Sequence, residues 1–145
     1  MTGPVFGGGV FIADKSVWTR AGHARLRAEW AMALRAGQIA TCSIVTLELL
    51  YSTRDVQGFE SLEFDLSALR DVPVTVSVQR EAVRAMRELS AATPLGHRVP
   101  LPDLLIAAAA QEAGVGVLHL DRHFDRLAEV LAFDSRWAAD PAELG

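Results

Sequence analysis

Three observations predict an α/β fold built on a mainly parallel sheet. Short apolar stretches of strand length, "VFIAD", "QIAT", "VPVTV" and "VGVLHLD", alternate with longer segments whose apolar residues recur at helical spacing. Glycines and polar clusters punctuate the boundaries between them, as at Gly37 and in "DKS". The chain has 145 residues, half of them hydrophobic, which is enough for one domain with a core of its own. Strands that alternate with helices pack as a sheet with helices against it.

The elements follow in order. "GPVFGGG" is a flexible entry, part of a glycine-rich leader over 1–9; its glycines do not follow a strand and so make a poor phosphate loop. "VFIAD" is a buried strand that ends at Asp14. Residues 23–36 carry Leu26, Trp30, Ala33 and Leu34 on one helical face, with Gly37 placed to stop the helix. "QIAT" is a second strand, and Ser43, a good N-cap, opens a helix through Tyr51. A further helix is expected over 58–70 and a third strand at "VPVTV". Val78, Ala82, Val83, Met86 and Leu89 form the apolar stripe of the next helix. "LPDLLIAAAA" begins the most apolar helix, "VGVLHLD" is a strand ending at Asp121, "RHFDRLAEV" a short helix and "VLAFD" a last strand.

Charge and cysteine content narrow the function. A net charge of -4 argues against bulk electrostatic binding of nucleic acid, although Lys15 is the one lysine among 14 basic residues and arginine is the better phosphate fork. The single cysteine, Cys42, closes no internal disulfide, which suits a reducing compartment. No apolar run approaches the roughly 20 residues of a membrane helix and no secretory leader is visible, so a cytoplasmic location is expected.

The carboxylates carry the chemistry. Ligands of open parallel sheets gather beyond the carboxyl ends of the strands, where Asp14 and Asp121 stand. Either acid alone reads equally as a turn former or N-cap. Glu48 is the only charge in "IVTLELLYS", a helix otherwise made for burial, unless its head reaches water at the helix edge. Asp103 heads the apolar helix, where a carboxylate stabilises the helix dipole by about 0.3–1 kcal/mol; the same helix must run through the core, so its start can open onto the edge that bears Asp14 and Asp121. Acids this close repel unless they hold a hard divalent cation, Mg²⁺ or Mn²⁺. His23, His97, His119 and His123 show no zinc-ligand spacing and read as rim or core residues.

Taken together, "FIADKS", "TLELLYS" and "LPDLLIAAAAQEAGVGVLHLDRHFDRLA" resemble the PIN-domain ribonucleases, specifically a VapC-type toxin of a toxin-antitoxin pair. The resemblance implies the PIN fold, a three-layer sandwich with a central parallel sheet, and a magnesium-dependent endoribonuclease whose acids are Asp14, Glu48, Asp103 and Asp121. Asp14, Asp103 and Asp121 would hold the metal. Ser16 matches the family's small hydroxyl residue after the first acid, and Asp125, one turn beyond Asp121, is a supporting acid. His119 stands where the family often has Ser or Thr, and Lys15 replaces a small residue. An RNA substrate, a VapB-like antitoxin and a homodimer are implied, with Arg20, Arg25, His97 and Arg98 as candidate RNA contacts or simply solvated charges. A receiver domain would pair acids after the first strand and an aspartyl phosphatase would carry Asp-x-Asp there; "DKS" has neither. A PIN-like domain that binds RNA or a partner without cutting would lack one of the acids.

Overall fold

The computed structural model describes residues 5–145, so the first four residues of the leader lie outside it. Five strands, β1 (Phe11–Ala13), β2 (Ile39–Cys42), β3 (Arg70–Val72), β4 (Gly116–His119) and β5 (Ser135–Trp137), form one sheet in the order β3-β2-β1-β4-β5. Every pairing is parallel. The chain winds outward from β1 through β2 to β3, then crosses to the far side of β1 for β4 and β5. That reversal opens a crevice beyond the carboxyl ends of β1 and β4.

Strand alternation separates two apolar layers. Phe11 and Ala13 face α1 (Lys15–Trp18) and α2 (Arg27–Arg35), with Val17, Leu26, Trp30 and Ala33. Ile12 faces the other layer, made by α3 (Ser43–Tyr51), α4 (Val56–Ser67), α5 (Val76–Ala92), α6 (Leu101–Ala113) and α7 (His123–Leu127). The result is helix, sheet, helix, as expected. In α6, Ala107 to Ala110 are fully buried; side chains this small let the helix lie close to its neighbours. Fully buried Ile106 and nearly buried Leu104 each contribute about 1.5–3 kcal/mol of burial. Gly114, at φ 69°, takes the left-handed turn that ends α6.

Several boundaries differ from expectation, each for a local reason. The third strand occupies Arg70–Val72, ahead of most of "VPVTV", because Pro73 has no N–H for the ladder and the Thr75 hydroxyl accepts from Val78 N–H (3.1 Å) to cap α5. The last strand is Ser135–Trp137, beyond "VLAFD", where Leu131 is buried in the core and Ala132 N–H is held by Gln111 Oε1 (2.7 Å). The first-face helix starts at Arg27, and α1, a single turn capped by Asp14, was not expected. Cys42 stands at the N-cap of α3, and Ser43 is its first helical residue. The buried stripe of α5 is Val78, Ala82, Ala85 and Leu89; Val83 is 57% exposed.

The described part of the glycine-rich leader is tied to the sheet. Buried Gln38 accepts from Val5 N–H (2.6 Å) and donates to the carbonyls of Val5 (2.7 Å) and Gly9 (3.0 Å). No helix among the described residues is long and apolar enough to cross a membrane.

Candidate metal centre

The crevice gathers its acids from separate elements. Asp14 follows β1 directly, is 6% exposed, and accepts from the Ser16 N–H (3.1 Å) and hydroxyl (2.7 Å). Ser16 Oγ in turn accepts from Leu120 N–H (3.1 Å), so one hydroxyl ties the first acid to the segment leaving β4. Asp14 therefore does cap a helix, and it does so at the crevice. Asp121 lies two residues past β4 and accepts from His123 N–H (3.0 Å). Asp103 sits in the first turn of α6, its side chain 13% exposed. Glu48 comes from α3; its Oε1 is buried without a hydrogen-bond partner among the described residues.

Their electrostatics show a shared field. The Asp103 carboxyl is pushed up to about 7 by burial, then by the charges of Asp14, Asp121 and Glu48. Burial also raises Glu48, with a further push from Asp14 that Lys15 opposes. Carboxyls crowded in this way, one with an orphaned buried oxygen, form the donor set that a hard cation relieves.

His123 joins them, against its expected place as a rim or core residue. Its Nδ1 lies 2.8 Å from Asp121 Oδ1 and 3.6 Å from Asp103 Oδ2. The first distance suits a hydrogen bond, but the alignment does not, and the buried Nδ1 has no hydrogen-bond partner among the described residues. Asp103, Asp121 and His123 present ligand atoms all within 4.8 Å of one another. Asp14 and Glu48 stand outside that tight set and act on Asp103 through their charge. The signal for His123 was its place two residues after Asp121, in the turn that enters α7.

The other candidates divide. Asp125 turns toward β5 and accepts from Ser135 Oγ (2.6 Å) and Trp137 Nε1 (2.7 Å). Its slight burial favours the neutral acid, but these two hydrogen bonds outweigh it and hold the carboxyl below its ordinary range. Arg25 is paired with Glu29 (3.1 Å) and with Glu143. Arg20 donates to the Leu144 carbonyl (3.3 Å) and, with Ser16 and Leu120, lines a recess of about 210 Å³ beside the crevice. His97 is half-buried, its Nδ1 without a hydrogen-bond partner among the described residues, whereas Arg98 is exposed.

The parallel sheet and its crevice of acids define a class. A family model described as the PIN domain matches residues 11–130, and the chain belongs to that family. Within it the chain is 36% identical to Ribonuclease VapC18 of Mycobacterium tuberculosis over 129 residues, covering 88% of this chain and 94% of the relative. It is 35% identical to Ribonuclease VapC51 of the same organism over 127 residues, covering 88% and 91%. These are the VapC members of the PIN family, and the chain stands among them. Among solved structures, the DNA-bound VapBC of Salmonella typhimurium superposes with TM-score 0.71 at 19% identity over 91% of this chain and 100% of that one. VapBC2 of Rickettsia felis, bound to a promoter DNA fragment, gives 0.68 at 19% over 88% and 98%. Both likenesses bear on the fold.

Proposed function

We propose that this protein is a metal-dependent endoribonuclease and the toxin of a toxin-antitoxin pair. The reading rests on the convergence of acids from separate elements at the sheet's reversal point, where ligand atoms of Asp103, Asp121 and His123 lie within 4.8 Å of one another and Asp14 and Glu48 add their charge. Its VapC relatives, named ribonucleases, support the RNA substrate.

Asp103 and Asp121 would hold Mg²⁺ or Mn²⁺, with Asp14 completing the charge and His123 Nδ1 as a further donor. A divalent cation bound there supplies a nucleophile from water at neutral pH and neutralises charge on the phosphoryl oxygens. Glu48, whose Oε1 is buried without a hydrogen-bond partner among the described residues, would accept the proton of an attacking water. Ser16 fixes Asp14 through its hydroxyl. Exposed Arg98, and Arg20 at the neighbouring recess, meet RNA phosphates; Arg25 is already committed to two glutamates.

A VapB-like antitoxin covers the exposed side chains of Leu47 (64% exposed) and Tyr51 (91% exposed), which with Lys15 and Glu48 line a recess of about 290 Å³. A basic antitoxin side chain at Glu48 would satisfy the carboxylates in place of metal. The protein acts as a homodimer in the cytoplasm. The test uses purified protein and RNA labelled at one end: internal cuts are expected with Mg²⁺ or Mn²⁺ and none in EDTA. Cleavage that persists in EDTA overturns the metal-dependent mechanism.

A further inference from the structure

A chain of hydrogen bonds runs from the backbone of Asp121 to the sheet edge. Asp121 N–H meets His119 Nδ1 (3.2 Å), His119 Nε2 meets Ser135 Oγ (2.7 Å), and Ser135 Oγ meets Asp125 Oδ1 (2.6 Å). Trp137 Nε1 donates to the other Asp125 oxygen (2.7 Å). The direction of every proton follows by elimination. A backbone amide can only donate, so His119 Nδ1 is bare and Nε2 carries the ring proton; Nε2–H then donates to Ser135 Oγ, whose own proton goes to the Asp125 carboxylate. Each member thus donates toward one terminal negative charge, an arrangement in which successive bonds polarise one another.

His119 is completely buried, and its ring is clamped between Phe124, stacked at 4.9 Å, and Trp137, edge-on at 5.0 Å. Parallel pairing places His119 beside Trp137, and Val117 beside Ser135. The turn that presents Asp121 is therefore held by a rigid ring at β4, by β5 and by the first turn of α7.

We propose that His119, Ser135 and Asp125 form a positioning relay that fixes the Asp121 backbone so that its carboxylate stays against Asp103. This role rests on the metal-site reading above. None of the three touches the metal or RNA; they act through Asp121.

The test is calorimetric titration of Mn²⁺ into the full chain, with amide hydrogen exchange at Asp121 as a readout independent of metal. Ser135→Ala removes the relay's middle hydroxyl without changing charge. It is expected to weaken Mn²⁺ binding about 10-fold or more, the usual scale for partners that orient a metal ligand, and to speed Asp121 exchange. Ser135→Thr, which keeps the hydroxyl, is expected to restore both. Asp125→Asn, an isosteric change, is expected to speed the same exchange, and it carries the test should Ser135→Ala fail to fold. Unchanged Mn²⁺ affinity in a folded Ser135→Ala variant overturns the relay, as does unchanged Asp121 exchange in Asp125→Asn. If the parent itself binds no Mn²⁺, the metal-site reading fails and the relay with it, whereas a parent that binds and an Ser135→Ala variant that binds equally well sink the relay alone.

Discussion

Asp103→Asn should make the metal-free protein more stable, and by an amount that depends on pH. Burial, then the charges of Asp14, Asp121 and Glu48, push the folded carboxyl up to about 7, well above its ordinary 3.8. A raised folded pKa means that the folded state keeps a proton the unfolded chain has released between about pH 4 and 7. Stability is therefore fully present below about pH 4, falls as pH rises through that window, and levels off above about 7. At about 1.4 kcal/mol per pK unit, the whole shift sets a ceiling of roughly 4 kcal/mol. Burial, its largest cause, penalises an amide as well, though less than a charge, so about 2 kcal/mol is the expected gain at pH 8. For a chain of this size that is a rise in Tm of roughly 8 °C. The assay is thermal unfolding of parent and variant in EDTA at pH 4.5 and pH 8. The gain should be near zero at the lower pH and large at the higher. An equal difference at both values, or a variant that melts lower at pH 8, refutes the repulsive cluster and returns Asp103 to an ordinary helix-opening role.

Ser16→Ala strips a hydrogen bond from Asp14 and leaves Leu120 N–H without its acceptor; a loss of about 1–3 kcal/mol is expected in denaturant melts. Gly116→Ala places a Cβ 2.7 Å from both the Asp134 carbonyl oxygen and the Phe11 ring, where three strands meet, and overpacking should cost about 1–3 kcal/mol by the same measurement. His123→Ala should weaken Ni²⁺ binding by about tenfold and Mg²⁺ binding by less than about threefold, since imidazole favours the former; equal losses in calorimetry would place His123 outside the donor set.

Much of this arrangement is legible in the sequence because it rests on local signals. The short, wholly apolar run "VFIA", bounded by glycine behind and "DKS" ahead, marks β1, and the run from Leu104 to Ala110 marks a helix with no wet face. The acids stand out for the same reason: Glu48 and Asp103 interrupt apolar helices, and Asp14 and Asp121 follow apolar strands. Signals that depend on tertiary neighbours are not legible. The β5 strand reads "SRW", half-buried and partly polar, and is a strand only because β4 lies beside it. The four-residue α1 is too short for its own periodicity and depends on the Asp14 cap. The link from His119 to Ser135 spans 16 residues and two strands, and the approach of His123 to Asp103 requires α6 and β4 to be in place.

The role of the crevice acids in cleavage is tested by the single-turnover rate of RNA cleavage in saturating Mg²⁺ for Asp103→Asn against Asp65→Asn. Asp65 is an exposed acid on α4 outside the cluster, so its variant should cut at the parental rate. Asp103→Asn should lose at least about 100-fold, roughly 2.7 kcal/mol of transition-state stabilisation. Equal rates for the two variants would contradict the assignment of the crevice acids as the nuclease site.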